Sequence, residues 1–197
     1  MPDAQRPRRP ASLPVEPTAA GTPEDVPGRR SEVADRVVEA LLTVGRQDPA
    51  LAVQRADDLG LPQLGEAWAA AEPGSRAAVL WRLHLLRSWL RFRGAEAARV
   101  YVAGRAMAPV EDVVAGVPEM PTAAELGDVG ERLLLAAYGG SFADAAERGA
   151  ALLRVIASGQ ARVAGDDRRA LQEAVRARES ADVLAAGARA YRAEDYQ

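Results

Sequence analysis

The sequence predicts an all-α fold, a compact bundle of about eight helices behind a disordered N-terminal tail. Three observations predict it. Apolar residues recur at spacings of three and four from Ser31 onward. Helix start and stop signals punctuate that run at short intervals. No stretch alternates apolar and polar positions with the β-branched residues a strand carries.

The tail is residues 1–30. It holds seven of the thirteen prolines and almost no large apolar side chain, so it cannot bury enough surface to offset its ordering entropy. Its five arginines are nearly balanced by Asp3, Glu16, Glu24 and Asp25. Residues 31–197 are left as a single helical domain, large enough to hold a core without disulfide or metal staples.

The elements follow in order. Ser31 is the expected cap of the first helix, with Val33, Val37, Leu41 and Val44 on one side. Asp48-Pro49 opens the second, a capping carboxylate followed by proline at the first helical position, and Gly60 closes it. A short third helix after Pro62 carries Leu64 and Trp68 and ends at Pro73-Gly74. Ser75 opens a long apolar helix to about Arg93; another runs from about Ala95 to Met107, and a short one follows Pro109 with Val110, Val113 and Val114. Thr122 and Glu125 have capping-box spacing and start a helix bearing Leu126, Val129, Leu133 and Ala137, which Gly139-Gly140 stops. Ser141 and Asp144 start the next, with Phe142, Ala146, Leu152, Leu153 and Ile156. Asp166 is the expected cap of the last, which carries Leu171, Val175, Leu184, Ala188 and Tyr191. The connections are short, so successive helices should pack as antiparallel neighbours.

Composition removes several chemistries. There is no cysteine, hence no disulfide, thiolate nucleophile or cysteine-ligated zinc, which fits a reducing cytoplasm. All 25 basic residues are arginine, so no Schiff-base or phosphate-loop lysine exists. A net charge of −3 offers no global attraction to nucleic acid or anionic lipid. No apolar run approaches the roughly 20 residues a membrane span needs, and the arginines at the N-terminus lead into no apolar stretch resembling a secretory signal. No cofactor or metal motif is present: HExxH, DxDxDG, GxSxG and the phosphate-loop pattern are all missing.

One helix stands out. Between Ser75 and Arg93, at about 100° per residue, Val79, Leu83, Leu86 and Leu90 fall together, with Trp81, Leu85, Trp89 and Phe92 beside them. Such an apolar helix belongs at the centre of a bundle, so the expected core contains Trp68, Leu83, Leu86, Trp89 and Leu90. That placement predicts a cost of about 3–5 kcal/mol for Trp89→Ala. The opposite arc holds Arg76, His84, Arg87, Ser88 and Arg91, with Leu80 among them, and no acidic residue occurs between Pro73 and Ala95. Two readings follow. The arginines pair with carboxylates of neighbouring helices and lay their stems along apolar surface. Alternatively Arg76, His84, Arg87 and Arg91 hold an anion or an acidic partner. His84, the sole histidine, has no carboxylate near it in sequence to orient it as a base, and reads as a hydrogen-bonded structural residue.

The run from Ala56 to Trp68 has helix-turn-helix spacing around Gly60, but Glu66 stands where a core residue is required and no arginine follows to reach bases. The adjacent pairs Asp57-Asp58 and Asp166-Asp167 point too far apart on a helix to share a metal.

Three segments, LWRLHLLRSW (Leu80–Trp89), AGRAMAPVEDVVAGV (Ala103–Val117) and GGSFADAAERGAALLRVIASG (Gly139–Gly159), together resemble an uncharacterised all-helical family of GC-rich bacteria. Its members are sometimes automatically labelled as an RNA polymerase β-type subunit. The resemblance implies a single helical domain over residues 76–160 and brings no functional residue with it. The chain lacks the catalytic aspartate motif of a polymerase large subunit.

The expected function is that of a non-enzymatic helical interaction or scaffold protein, with a protein partner or a homodimer; Leu80 and Tyr101 are the apolar residues in apparent excess of one core. A nucleic-acid-associated role for the arginine-rich helix and a small-ligand pocket near Trp81, His84 and Trp89 are the alternatives.

Overall fold

The computed structural model describes residues 27–194, and the side chains of residues 32–193 within them. Residues 1–26, most of the expected tail, lie outside the described residues. Eight helices and no strand occur among the described residues: α1 (Pro27–Gly45), α2 (Pro49–Trp68), α3 (Arg76–Phe92), α4 (Gly94–Arg105), α5 (Pro109–Ala115), α6 (Ala123–Tyr138), α7 (Phe142–Ala164) and α8 (Arg168–Glu194). The fold is the expected all-α bundle.

Local chemistry explains most boundaries. Asp48 accepts from the Leu51 amide at 3.0 Å, and Ser75 from the Ala78 amide at 3.2 Å. Thr122 and Glu125 close both halves of the capping box, at 3.2 and 2.7 Å. Gly60 has φ +82°, a conformation open to glycine without steric cost, and it turns α2 through a corner ahead of Pro62. Ala56 and Leu64 are buried on either side of that corner while Glu66 faces solvent, as in an ordinary helix corner.

Three starts differ from the sequence expectation. α1 begins at Pro27, so Ser31 lies within the helix and the tail boundary at Arg30 falls inside it. Pro27, with its fixed φ, is the start signal there. Ser141 occupies the cap position of α7 without a side-chain cap bond. At α8 the capping carboxylate is Asp167, which accepts from the Arg169 and Ala170 amides at 2.9 and 3.3 Å, one residue after Asp166.

A single hydrophobic cluster runs from Ala34 in α1 to Ala188 in α8. In α1 the buried side is Ala34, Val38, Leu41 and Leu42, one position round from the expected stripe, and Val33 is exposed. Trp68 is sealed beneath α1, its indole N–H donating to the Ala34 carbonyl at 3.3 Å. In α8 Leu184 and Ala188 are buried while Val175 is exposed, because at that level of the helix the buried face is the one that carries Ala174.

α3 reaches every helix except α5, but its face is not the one its hydropathy suggested. Leu83, Leu86 and Leu90 are buried as expected, and Leu80 and His84 join them. The other edge is wet: Trp81 and Trp89 are half-buried, Leu85 is exposed, and Phe92 is 77% exposed. The core therefore lacks Trp89. Leu80 and Tyr101 are both fully buried, which removes the argument for a homodimer that rested on them.

The most closely packed helix is α7. It forms a long hairpin with α8 and also packs on α4, α5 and α6. Its buried side is mostly small, including Ala145, Ala146, Gly149, Ala150 and Ala157. Where α4 crosses α7, Gly104 faces the Val155 carbonyl and Gly159 faces the Val100 carbonyl, leaving no room for a Cβ at either glycine.

Candidate functional site

Of the residues singled out in the sequence, His84, Arg87 and Arg91 come together, and Arg76 does not. The three line one side of a cleft of about 260 Å³ between α3 and the α2 corner; Asp57, Gly60 and Leu61 line the other, with Phe92 at the same site. Successive turns of α3 place them there, at positions 84, 87 and 91.

Arg87 is a clamp. Its two terminal nitrogens donate to both Asp57 carboxylate oxygens, at 2.6 and 2.9 Å, and its Nε donates to Glu131 at 2.6 Å. The side chain is only 11% exposed and ties α2 and α6 to α3. Two carboxylates satisfy its charge, so it has little left for an added anion.

Beneath it lies a polar pair. His84 Nε2 and the Tyr138 hydroxyl are hydrogen-bonded at 2.8 Å, and Trp68 and Tyr138 flank the imidazole with ring centroids 6.1 and 6.0 Å away. Burial, and then the Arg87 charge, lower the His84 pKa to about 4 against a weaker upward pull from Asp57. Burial, then Asp57, push the Tyr138 phenol up. Both are neutral near pH 7. An imidazole this basicity-poor, with its Nε2 committed to a phenol, is unsuited to accept a substrate proton.

Arg91 differs. It is exposed and has no ion-pair or side-chain hydrogen-bond partner among the described residues. Arg76 sits at the far end of α3, paired with Glu39 at 3.3 Å and stacked over Tyr191 at 4.8 Å. Arg93 pairs locally with Glu96, and Arg105 is held by Asp112 and Glu119. Much of the arginine stripe is thus internally paired. Burial lowers the Arg82 pKa, partly offset by Glu179. That side chain helps line a shallow groove of about 160 Å³ along α3, together with Leu85, Trp89, Ile156 and Gln160.

The pocket expected near Trp81, His84 and Trp89 is divided, with Trp89 on this groove and His84 on the α2 cleft, and sequence reasoning missed a trough between α7 and α8 bearing Arg154, Arg189 and Arg192. The residues of each lie on helices distant in sequence, and no local spacing signals them. Among the described residues no group of three or more His, Asp or Glu side chains is placed to hold a metal ion, and no helix is long and apolar enough to cross a membrane.

Fold and site together define a single-core, all-α protein with a neutral buried polar pair and a partly covered aromatic edge on one helix. No protein-family model, curated protein or solved structure matches the chain.

Proposed function

We propose that this chain is a non-enzymatic helical interaction protein, and that it docks an acidic, amphipathic helix of another protein along the outer edge of α3. One observation carries the reading. Trp81, Leu85, Trp89 and Phe92 form a stripe about one turn apart that the bundle only partly covers, with Leu85 and Phe92 exposed. Half-buried tryptophans beside an exposed apolar row are the composition of a contact hot spot. The groove beside Leu85 and Trp89, about 160 Å³, has room for one anchoring side chain of such a helix.

Charge selects the occupant. α3 carries no carboxylate; Arg82 lines the groove beside Leu85 and Trp89, and Arg91 stands without an ion-pair partner among the described residues, next to Phe92. An acidic face meets this edge favourably; a basic one is repelled. The pairing of Arg87 and Arg105 with carboxylates weighs against the nucleic-acid alternative, since those cations are already compensated.

Fluorescence anisotropy of two labelled amphipathic peptides, identical on the apolar face and bearing glutamate or lysine on the polar face, tests it. The acidic peptide should bind saturably, the basic one should not, and Leu85→Glu should abolish binding while circular dichroism stays unchanged. Equal binding of both peptides, or binding unaffected by Leu85→Glu, would overturn the reading. A dimer in sedimentation equilibrium that Leu85→Glu dissolves would replace the foreign helix with a second copy.

A further inference from the structure

The trough between the outer faces of α7 and α8 has a volume of about 490 Å³, within the range that holds small ligands. Small residues make the room: Ala150 on α7 and Ala188 on α8 are both buried. Glu147 and Arg154 stand on one wall, Arg189 and Arg192 on the other. Thirty-five positions separate Arg154 from Arg189, and only the hairpin brings them to one place.

The three guanidinium groups are not equally satisfied. Arg192 Nη2 donates to Asp144 and Glu147, at 2.7 Å each, which occupies those two carboxylates. Arg154 meets Asp182 only at 3.7 Å, and that carboxylate is 62% exposed and so well screened by water. The Arg154 Nε is buried and has no acceptor. Arg189 is exposed and has no ion-pair or side-chain hydrogen-bond partner among the described residues. Two cations on opposite walls therefore lack close acceptors, and one of them has its stem fixed by packing.

We propose that this trough binds a small phosphorylated molecule, with its phosphate between Arg154 and Arg189 and its apolar body over Ala150 and Ala188. A carboxylate holds its two oxygens in one plane and is matched by one guanidinium fork. A phosphate presents three terminal oxygens tetrahedrally and accepts from two guanidiniums that approach from different sides. Arg154 is partly immobilised before the ligand arrives, which lowers the entropic cost of capture.

Isothermal titration of the full chain with pyrophosphate, adenosine monophosphate and acetate at constant ionic strength tests the proposal. Both phosphate probes should bind with one-to-one saturation, and acetate should not. Arg189→Gln, at an exposed and unpartnered position, should weaken binding about tenfold. Arg154→Gln combined with Arg189→Gln should remove it, with the fold checked by circular dichroism. Absence of saturable binding, or binding unchanged in the double variant, would overturn the proposal. Capture by phosphatidic acid vesicles with no response to either soluble phosphate would also overturn it, since the phosphate would then be a lipid headgroup.

Discussion

The His84 imidazole and the Tyr138 phenol, from α3 and α6, meet at 2.8 Å inside the bundle, and the imidazole is 2% exposed. Protonating that ring would place a charge between Trp68 and Tyr138 with the Arg87 cation close by, which is why its pKa is depressed.

Stability should therefore weaken in mild acid. The folded-state pKa of about 4 lies below the ordinary histidine value of 6.5, so between those values the unfolded chain binds the extra proton. Stability from this group is complete above pH 6.5, falls as pH drops toward 4, and levels off below that. The total loss should be about 3 kcal/mol. Urea midpoints of wild type and His84→Gln across this range check it; parallel curves would show that the imidazole is not responsible.

Arg87→Met should destabilise the bundle by about 1–3 kcal/mol. It removes two bonds to Asp57 and one to Glu131 while leaving both carboxylates able to reach water. In a double-mutant cycle with Asp57→Asn, a coupling energy near zero would show that the bidentate contact contributes nothing.

Gly159→Ala should be far more damaging than an ordinary glycine-to-alanine change in a helix. Helix propensity alone favours alanine by about 1 kcal/mol. Here the added methyl meets the Val100 carbonyl, and backbone cannot rotate aside, so α4 must lift from α7. A melting temperature lower by more than about 10 °C is expected. Gly127→Ala on α6, where a Cβ meets nothing within 4 Å, is the control and should be neutral or stabilising.

Trp89→Ala should cost about 1–2 kcal/mol, less than burial at the centre of the core would give, because the indole is half in water. Trp68→Ala, at a fully buried position, should cost about 3–5 kcal/mol. Chemical denaturation of the two variants side by side measures the difference. Equal losses would contradict the placement of Trp89 at the edge.

Helix starts with a capping side chain were readable in the sequence, because Asp48, Ser75 and Thr122 act on amides three residues away. The face that α3 buries was not. Hydropathy weighs Trp81, Trp89 and Phe92 heavily, yet the bundle closes over the side bearing Leu80 and His84, where the imidazole meets Tyr138 of α6 and Trp68 of α2. The importance of α7 was hidden for the opposite reason: alanine and glycine score little by size, and their value lies in letting helices approach. Arg87 with Asp57 and Glu131, or Arg154 with Arg189, are meetings that only tertiary folding makes.

The bond from the Trp68 indole to the Ala34 carbonyl makes the first helix a stopper set over the largest sealed side chain in the molecule. A version starting at Pro49 would be uncorked: the indole would lose both its lid and its acceptor, and the freed apolar floor would invite sticking and protease attack.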